Sequence, residues 1–182
     1  EEGVRQFNKW LKDDTNVQSL LDIFPIVLCT NLSCEKIGNA KPHFDLVIMD
    51  EAGQCNIATS LIPIVRGTDL LLVGDPNQLQ PITVIEENVN DDLLKRYGVG
   101  QEYNYVKNSI FSTMARKDNN SKKILLRYHY RCGKKIINFS NQRFYNRTLK
   151  LVNQKLGELV YYDVKNRYNP NARHSYREEA AQ

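Results

Sequence analysis

Phe44-Asp45-Leu46-Val47-Ile48-Met49-Asp50-Glu51 is a mainly apolar run that ends abruptly on two carboxylates. A stretch of this length, with almost no polar alternation, predicts a strand buried on both faces, the type found in parallel sheets. The pattern occurs twice more. Asp69-Leu70-Leu71-Leu72-Val73 stops at Gly74-Asp75, and Pro25-Ile26-Val27-Leu28-Cys29-Thr30 is ended by Asn31. Helix-length segments separate the three runs, so the expected architecture is α/β, with a parallel sheet carrying helices on both faces. Ligands of such sheets sit outside the carboxyl ends of the strands. The acidic residues fall at those ends.

The rest of the chain reads around this core. Val4, Phe7 and Leu11, then Val17, Leu20, Leu21 and Phe24, recur at helical spacing, broken near Asp13-Asp14-Thr15-Asn16, where Thr15 or Asn16 is expected to cap a second helix. Ile57 to Val65 has mixed helical periodicity, kinked or ended by Pro63. Residues 83–105 are acidic and irregular, a surface excursion with room for one short helix. Asn108 is placed to cap a helix carrying Ile110, Phe111 and Met114. Ile124-Leu125-Leu126 reads as a fourth strand, Gly133 to Tyr145 as a long helix, Leu159-Val160-Tyr161-Tyr162 as a fifth strand, and Arg177 to Ala180 as a helix start.

Composition narrows the class. The hydrophobic share of 41% and charged share of 25% are those of a soluble globular protein. No apolar stretch approaches the roughly 20 residues that span a bilayer, so a cytoplasmic protein without a membrane segment is expected. The numbering starts at Glu1 rather than Met, which suggests a piece of a longer chain. Cys29, Cys34, Cys55 and Cys132 form no CxxC pair, favouring free thiols over a disulfide framework or a zinc site. Charge is divided: residues 1–121 hold 11 basic and 17 acidic side chains, and residues 122–182 hold 14 and 4. Two bodies of opposite sign are expected to meet near that point, the basic one suited to a polyanion or simply solvated.

Three places carry chemistry. Asp50-Glu51 can serve a nucleotide-bound magnesium, which takes one or two carboxylates and keeps several waters, with the second carboxylate accepting a proton from attacking water. A solvated acidic turn is the plain alternative. Gly74-Asp75-Pro76-Asn77-Gln78-Leu79-Gln80-Pro81 places a neutral donor and acceptor, Gln78, on a stiff loop suited to sensing a γ-phosphate or its water, or else is an ordinary strand-ending turn. Arg131, between Tyr128-His129-Tyr130 and a helix, can stabilise charge on a transferring phosphoryl group, or can form a surface ion pair.

Taken together these segments resemble superfamily 1 DNA/RNA helicases. Asp50-Glu51-Ala52-Gly53-Gln54 is similar to motif II (Asp-Glu-Ala-x-Gln), and Gly74 to Pro81 is similar to motif III (Gly-Asp-x-x-Gln-Leu-x-Pro). Tyr130-Arg131-Cys132 through Phe139, Asn141, Phe144 and Tyr145 resembles motif IV of the branch containing the nonsense-mediated-decay helicase and its bacterial relatives. The resemblance covers roughly residues 25–182. It implies a P-loop NTPase (RecA-like) fold, with residues 1–127 forming the C-terminal part of a first motor domain and residues 128–182 beginning a second. It also implies ATP and Mg2+ as cofactors, and single-stranded or duplex DNA or RNA as the partner. By position, Asp50 would hold the magnesium shell, Glu51 activate water, and Gln54 lie against the nucleotide or its water. Gln78 and Arg131 would reach the γ-phosphate, and Thr30 would touch the nucleic-acid backbone. Movement from 5′ to 3′ is implied in the same way.

Two positions depart from the pattern. His129 stands where many relatives have Gln, and Gln80 replaces a frequent Pro. A Gly-x-x-x-x-Gly-Lys-Ser/Thr loop occurs nowhere in the 182 residues, since Gly133-Lys134 lacks both the first glycine and the hydroxyl. The chain is therefore expected to lack half of an ATP site. A non-catalytic binding module with a helicase-like core, and a different nucleotide-dependent α/β enzyme, are the rival readings.

Overall fold

The computed structural model describes residues 2–158 and 160. Two compact units divide the chain, one of residues 1–122 and one beginning at Lys123.

In the first unit the N-terminal stripe forms α1 (Glu2–Trp10) and α2 (Asp14–Leu21). The cap of α2 is Asp13, whose carboxylate accepts from Thr15 N at 2.8 Å; the expected caps, Thr15 and Asn16, lie inside the helix. An aspartate two residues before Thr15 meets the unpaired amides of the first turn equally well. A parallel pair, β1 (Phe44–Met49) and β2 (Gly67–Leu72), is joined by α3 (Ile57–Ile64), with Phe44 opposite Gly67 and Met49 opposite Leu72. This βαβ unit is the one the apolar runs predict. Pro63 is accommodated in the last turn of α3.

One face of the pair makes the core. Met49, Ala52 and Ile110 are buried together, with Val47, Leu70, Leu72, Ile64, Phe111 and Met114 against them. The opposite face carries Leu46, Ile48 and Leu71, all exposed. Burial on both faces is thus not seen among the described residues. The expected strand at 25–30 has no regular structure, and Leu28 is 93% exposed. Ile124 to Leu126 is likewise irregular and exposed. Apolar composition favours a buried strand, but a strand also needs a hydrogen-bonded neighbour, and neither run has one among the described residues.

Residues 83–105 are more ordered than expected. They contain the three-turn helix α4 (Glu87–Tyr97), which buries Asn90 and Leu94 and ends on Gly98 in the left-handed conformation. The next helix, α5 (Ile110–Lys117), is capped by Ser109 in a reciprocal box with Ser112, not by Asn108. Asn108 instead donates to the carbonyls of Gln101 and Asn104.

The second unit contains β3 (Tyr128–His129), α6 (Lys134–Arg143) and β4 (Lys150–Leu151), with β3 and β4 parallel. Asn141, buried on α6, bonds the backbone of Leu149 through both its amide and its carbonyl. The expected strand at 159–162, apart from Val160, and the expected helix start at Arg177 lie outside the described residues. No helix among the described residues is long and apolar enough to cross a membrane.

Candidate nucleotide site

The carboxyl ends of β1 and β2 are bound to each other through backbone. Val73 N donates to Met49 O at 2.9 Å, and Ala52 N donates to Val73 O at 2.8 Å. The ladder is thereby extended past the strands, and Asp50-Glu51 is set beside Gly74-Asp75. Glu51 has φ 51° and ψ 36°, the left-handed region that non-glycine residues seldom occupy. Its own amide donates to Asp50 Oδ1 at 2.9 Å, and its carbonyl accepts from Gln54 N at 2.8 Å. A residue held in such a conformation by surrounding bonds is a recurring feature of functional turns.

The side chains are paired locally. Gln54 Nε2 donates to Glu51 Oε2 at 3.2 Å, and Gln78 Nε2 donates to Asp75 Oδ2 at 3.2 Å. Asp75 also accepts from Asn77 N at 2.9 Å, so it organises the turn that presents Gln78. Asp50, Glu51, Gln54 and Gln78 are all exposed. Asp50, Glu51 and Asp75 therefore offer hard carboxylate oxygens at one sheet edge, which fits magnesium; soft ligands there would not. Among the described residues no three ligating side chains close on a point.

Two glycines allow the loops to approach. A Cβ on Gly53 would lie 2.9 Å from Asp75 O, and one on Gly74 would lie 2.9 Å from Gly53 N. Both collisions are with backbone, which cannot rotate away. Gly53→Ala should therefore destabilise the protein by about 1–3 kcal/mol, as overpacking does. Equilibrium urea unfolding measures this against Gly3→Ala, where nothing lies within 4 Å. Equal stability of the two variants would show that the loops part freely. The structure adds Gly53 and Asp75 to the residues singled out from sequence. Gly53 occupies the variable place in the motif, so a glycine there was the one available signal.

The floor of the site is fixed by α5. Ile110 N donates to Cys55 O at 2.9 Å, Asn56 bridges to Ser109, and Asn56 caps α3 by accepting from Thr59 N.

Thr30 and Arg131 lie elsewhere. Thr30 is exposed on the segment before the 3-10 turn Leu32–Lys36, with its Oγ1 donating to Ser33 Oγ at 2.9 Å. Arg131 belongs to the second unit, on the loop between β3 and α6. Asn153 Nδ2 donates to the carbonyls of Tyr130 and Arg131 at 3.3 Å each, while the Arg131 side chain is exposed. His129 has a local part: its Nε2 accepts from Cys132 N at 2.9 Å, closing the same loop. Gly133 lies against Gly157 so closely that a Cβ would sit 2.6 Å from Gly157 N. Asp50, Glu51, Gln54 and Gln78 thus lie on the two loops that follow β1 and β2, Thr30 lies on a separate segment of the same unit, and Arg131 belongs to the other unit.

Residues 2–86, which include both loops, match the model of the AAA domain family. The chain is 35% identical over 108 residues to an uncharacterized ATP-dependent helicase of Methanocaldococcus jannaschii, covering 59% of this chain and 14% of the relative. It is 32% identical over 142 residues to Helicase SEN1 of Saccharomyces cerevisiae, covering 76% of this chain and 6% of the relative. With the DNA replication ATP-dependent helicase/nuclease DNA2 of Saccharomyces cerevisiae it shares 30% identity over 138 residues, 76% of this chain and 8% of the relative. It spans at most 14% of the length of any of these three. Residues 2–86 thus resemble the AAA domain family over an α/β unit with parallel strands, and the chain is similar to short segments of ATP-dependent helicases at 30–35% identity.

Proposed function

We propose that this chain is a segment of a superfamily 1 motor that uses ATP and Mg2+ to move along DNA or RNA and unwind it. Residues 1–127 belong to the first motor domain and residues 128–182 begin the second. A cytoplasmic location accompanies this reading. The observation that carries it is the backbone-locked pair of loops at the ends of β1 and β2, with Glu51 held in a left-handed turn beside Asp50 and Gly53 against the backbone of Asp75.

Each residue has a role in the reading. Asp50 would hold the magnesium shell, and the metal would supply positive charge to the phosphate oxygens. Glu51 takes a proton from the attacking water. Gln54, already bonded to Glu51, orients that carboxylate and meets the nucleotide or its water. Gln78, presented by Asp75, contacts the γ-phosphate and couples it to the bound strand. Arg131 brings a guanidinium to the same phosphate from the second unit. Thr30 offers a hydroxyl to the nucleic-acid backbone.

The 182 residues contain no phosphate-binding loop, so their backbone cradle and phosphate lysine are missing. The chain alone should hydrolyse ATP at the rate of a buffer blank, with or without nucleic acid. The parent protein should show ATPase activity that rises on adding single-stranded DNA or RNA. A parent whose ATPase ignores both polymers would overturn the motor reading.

A further inference from the structure

The strongest feature outside the nucleotide site is a pair of thiols. Cys29 Sγ and Cys34 Sγ lie 2.9 Å apart, although both are free. Cys29 is exposed, and Cys34 is buried beneath it in the 3-10 turn Leu32–Lys36. The turn is preset by backbone: Cys34 N donates to Thr30 O at 3.2 Å and Ile37 N donates to Cys34 O at 3.0 Å. A covalent S–S bond is about 2.0 Å long, so closing the ring requires a shift of roughly 1 Å. Both residues also line a cavity of about 140 Å³ between this segment and the open face of the sheet, which gives the sulfurs room to move.

The geometry points to Cys29 and Cys34 as a redox-modification site, a dithiol that a low-molecular-weight disulfide oxidises to an intramolecular disulfide. In the first step the Cys29 thiolate attacks one sulfur of the oxidant, forming a mixed disulfide and releasing one thiolate. In the second, Cys34 loses its proton to solvent and attacks the Cys29 sulfur, releasing the other. The protein loses two hydrogens and two electrons, and one oxidant molecule becomes two thiols. The roles follow from placement: Cys29 is the one reachable from solvent. Burial, with the Cys29 contact adding to it, pushes the Cys34 thiol up to about 12, so Cys34 is not the thiol that attacks first. Cys55 and Cys132 have no thiol neighbour among the described residues, so they serve as internal references. The ring spans Thr30 and its bond to Ser33, so oxidation would lock that turn. The inference holds whether or not the motor reading does.

The test uses the full chain with oxidised glutathione, followed by denaturation, alkylation and tryptic mass mapping. Both cysteines fall on one tryptic peptide, Asp13–Lys36. That peptide should become lighter by two hydrogens and take up no alkylating agent, and the titratable thiols should fall from four to two. Cys34→Ser should stop at glutathione on Cys29, and Cys29→Ser, a change at an exposed position, should leave Cys34 unmodified. Glutathione retained on Cys29 of the unaltered chain, or reaction at Cys55 or Cys132 while Asp13–Lys36 keeps two thiols, overturns the assignment.

Discussion

Glu51→Gln in the parent motor should abolish steady-state ATP turnover while ATP still binds. The change removes a negative charge and a proton acceptor and alters little else. A glutamine side chain keeps the length of glutamate, and its carbonyl oxygen can still accept from Gln54 Nε2 as Glu51 Oε2 does now. The turn is held by backbone bonds from Gln54 N and Ala52 N, which the substitution leaves in place. Because Glu51 is exposed, burial is unaffected and stability should shift by no more than about 0.5 kcal/mol. Losing a positioned general base typically costs about 10²–10⁴ in rate, so kcat should fall by at least that much. A fluorescent-nucleotide titration should give an affinity within a few-fold of the unaltered motor, because the parts proposed for Gln78 at the phosphate and Asp50 at the magnesium do not use the Glu51 carboxylate. Normal turnover in this variant would sink the role given to Glu51, and loss of binding with turnover would place it among the metal's direct supports instead.

Much of this site is legible in the order of residues, for physical reasons that also explain what was not. Leu46 to Met49 and Leu70 to Val73 read as neighbouring parallel strands because a short connection through one helix leaves few other solutions. Their acidic ends then fall at the same edge. The same apolar signal fails at Ile26 to Leu28 and at Ile124 to Leu126, since hydrophobicity reports a preference for burial and says nothing about a partner for the ladder. The left-handed backbone of Glu51 has no sequence signature, as glycine or asparagine would be expected there. Asp75 shows a related gap. It reads as a strand terminus, yet it forms the turn that aims Gln78, and only the hydrogen bonds reveal it. Helix caps moved by one or two residues, from Thr15 to Asp13 and from Asn108 to Ser109, because several neighbouring polar side chains can satisfy the same amides.

Arg131→Ala should lower kcat of the parent by about 10³ or more, the range seen when a guanidinium that stabilises phosphoryl transfer is removed. The local structure makes this a clean experiment. Among the described residues no carboxylate pairs with Arg131, so the ion-pair alternative has no partner among them to lose. Its backbone is held on both sides, by Asn153 at the Tyr130 and Arg131 carbonyls and by His129 at Cys132 N, and none of these bonds uses the guanidinium. The loop should therefore survive truncation, with an unchanged unfolding midpoint. Arg131→Lys separates charge from shape. If positive charge alone were needed, lysine would restore most of the rate; if the planar fork is needed to meet two phosphate oxygens, lysine should recover only a small part of it. A role confined to the transition state predicts that KM for ATP moves little while kcat falls. A wild-type kcat in Arg131→Ala would leave the second unit without its assigned part in hydrolysis. The Glu51 prediction would stand untouched, because it depends only on the edge of the sheet formed by β1 and β2.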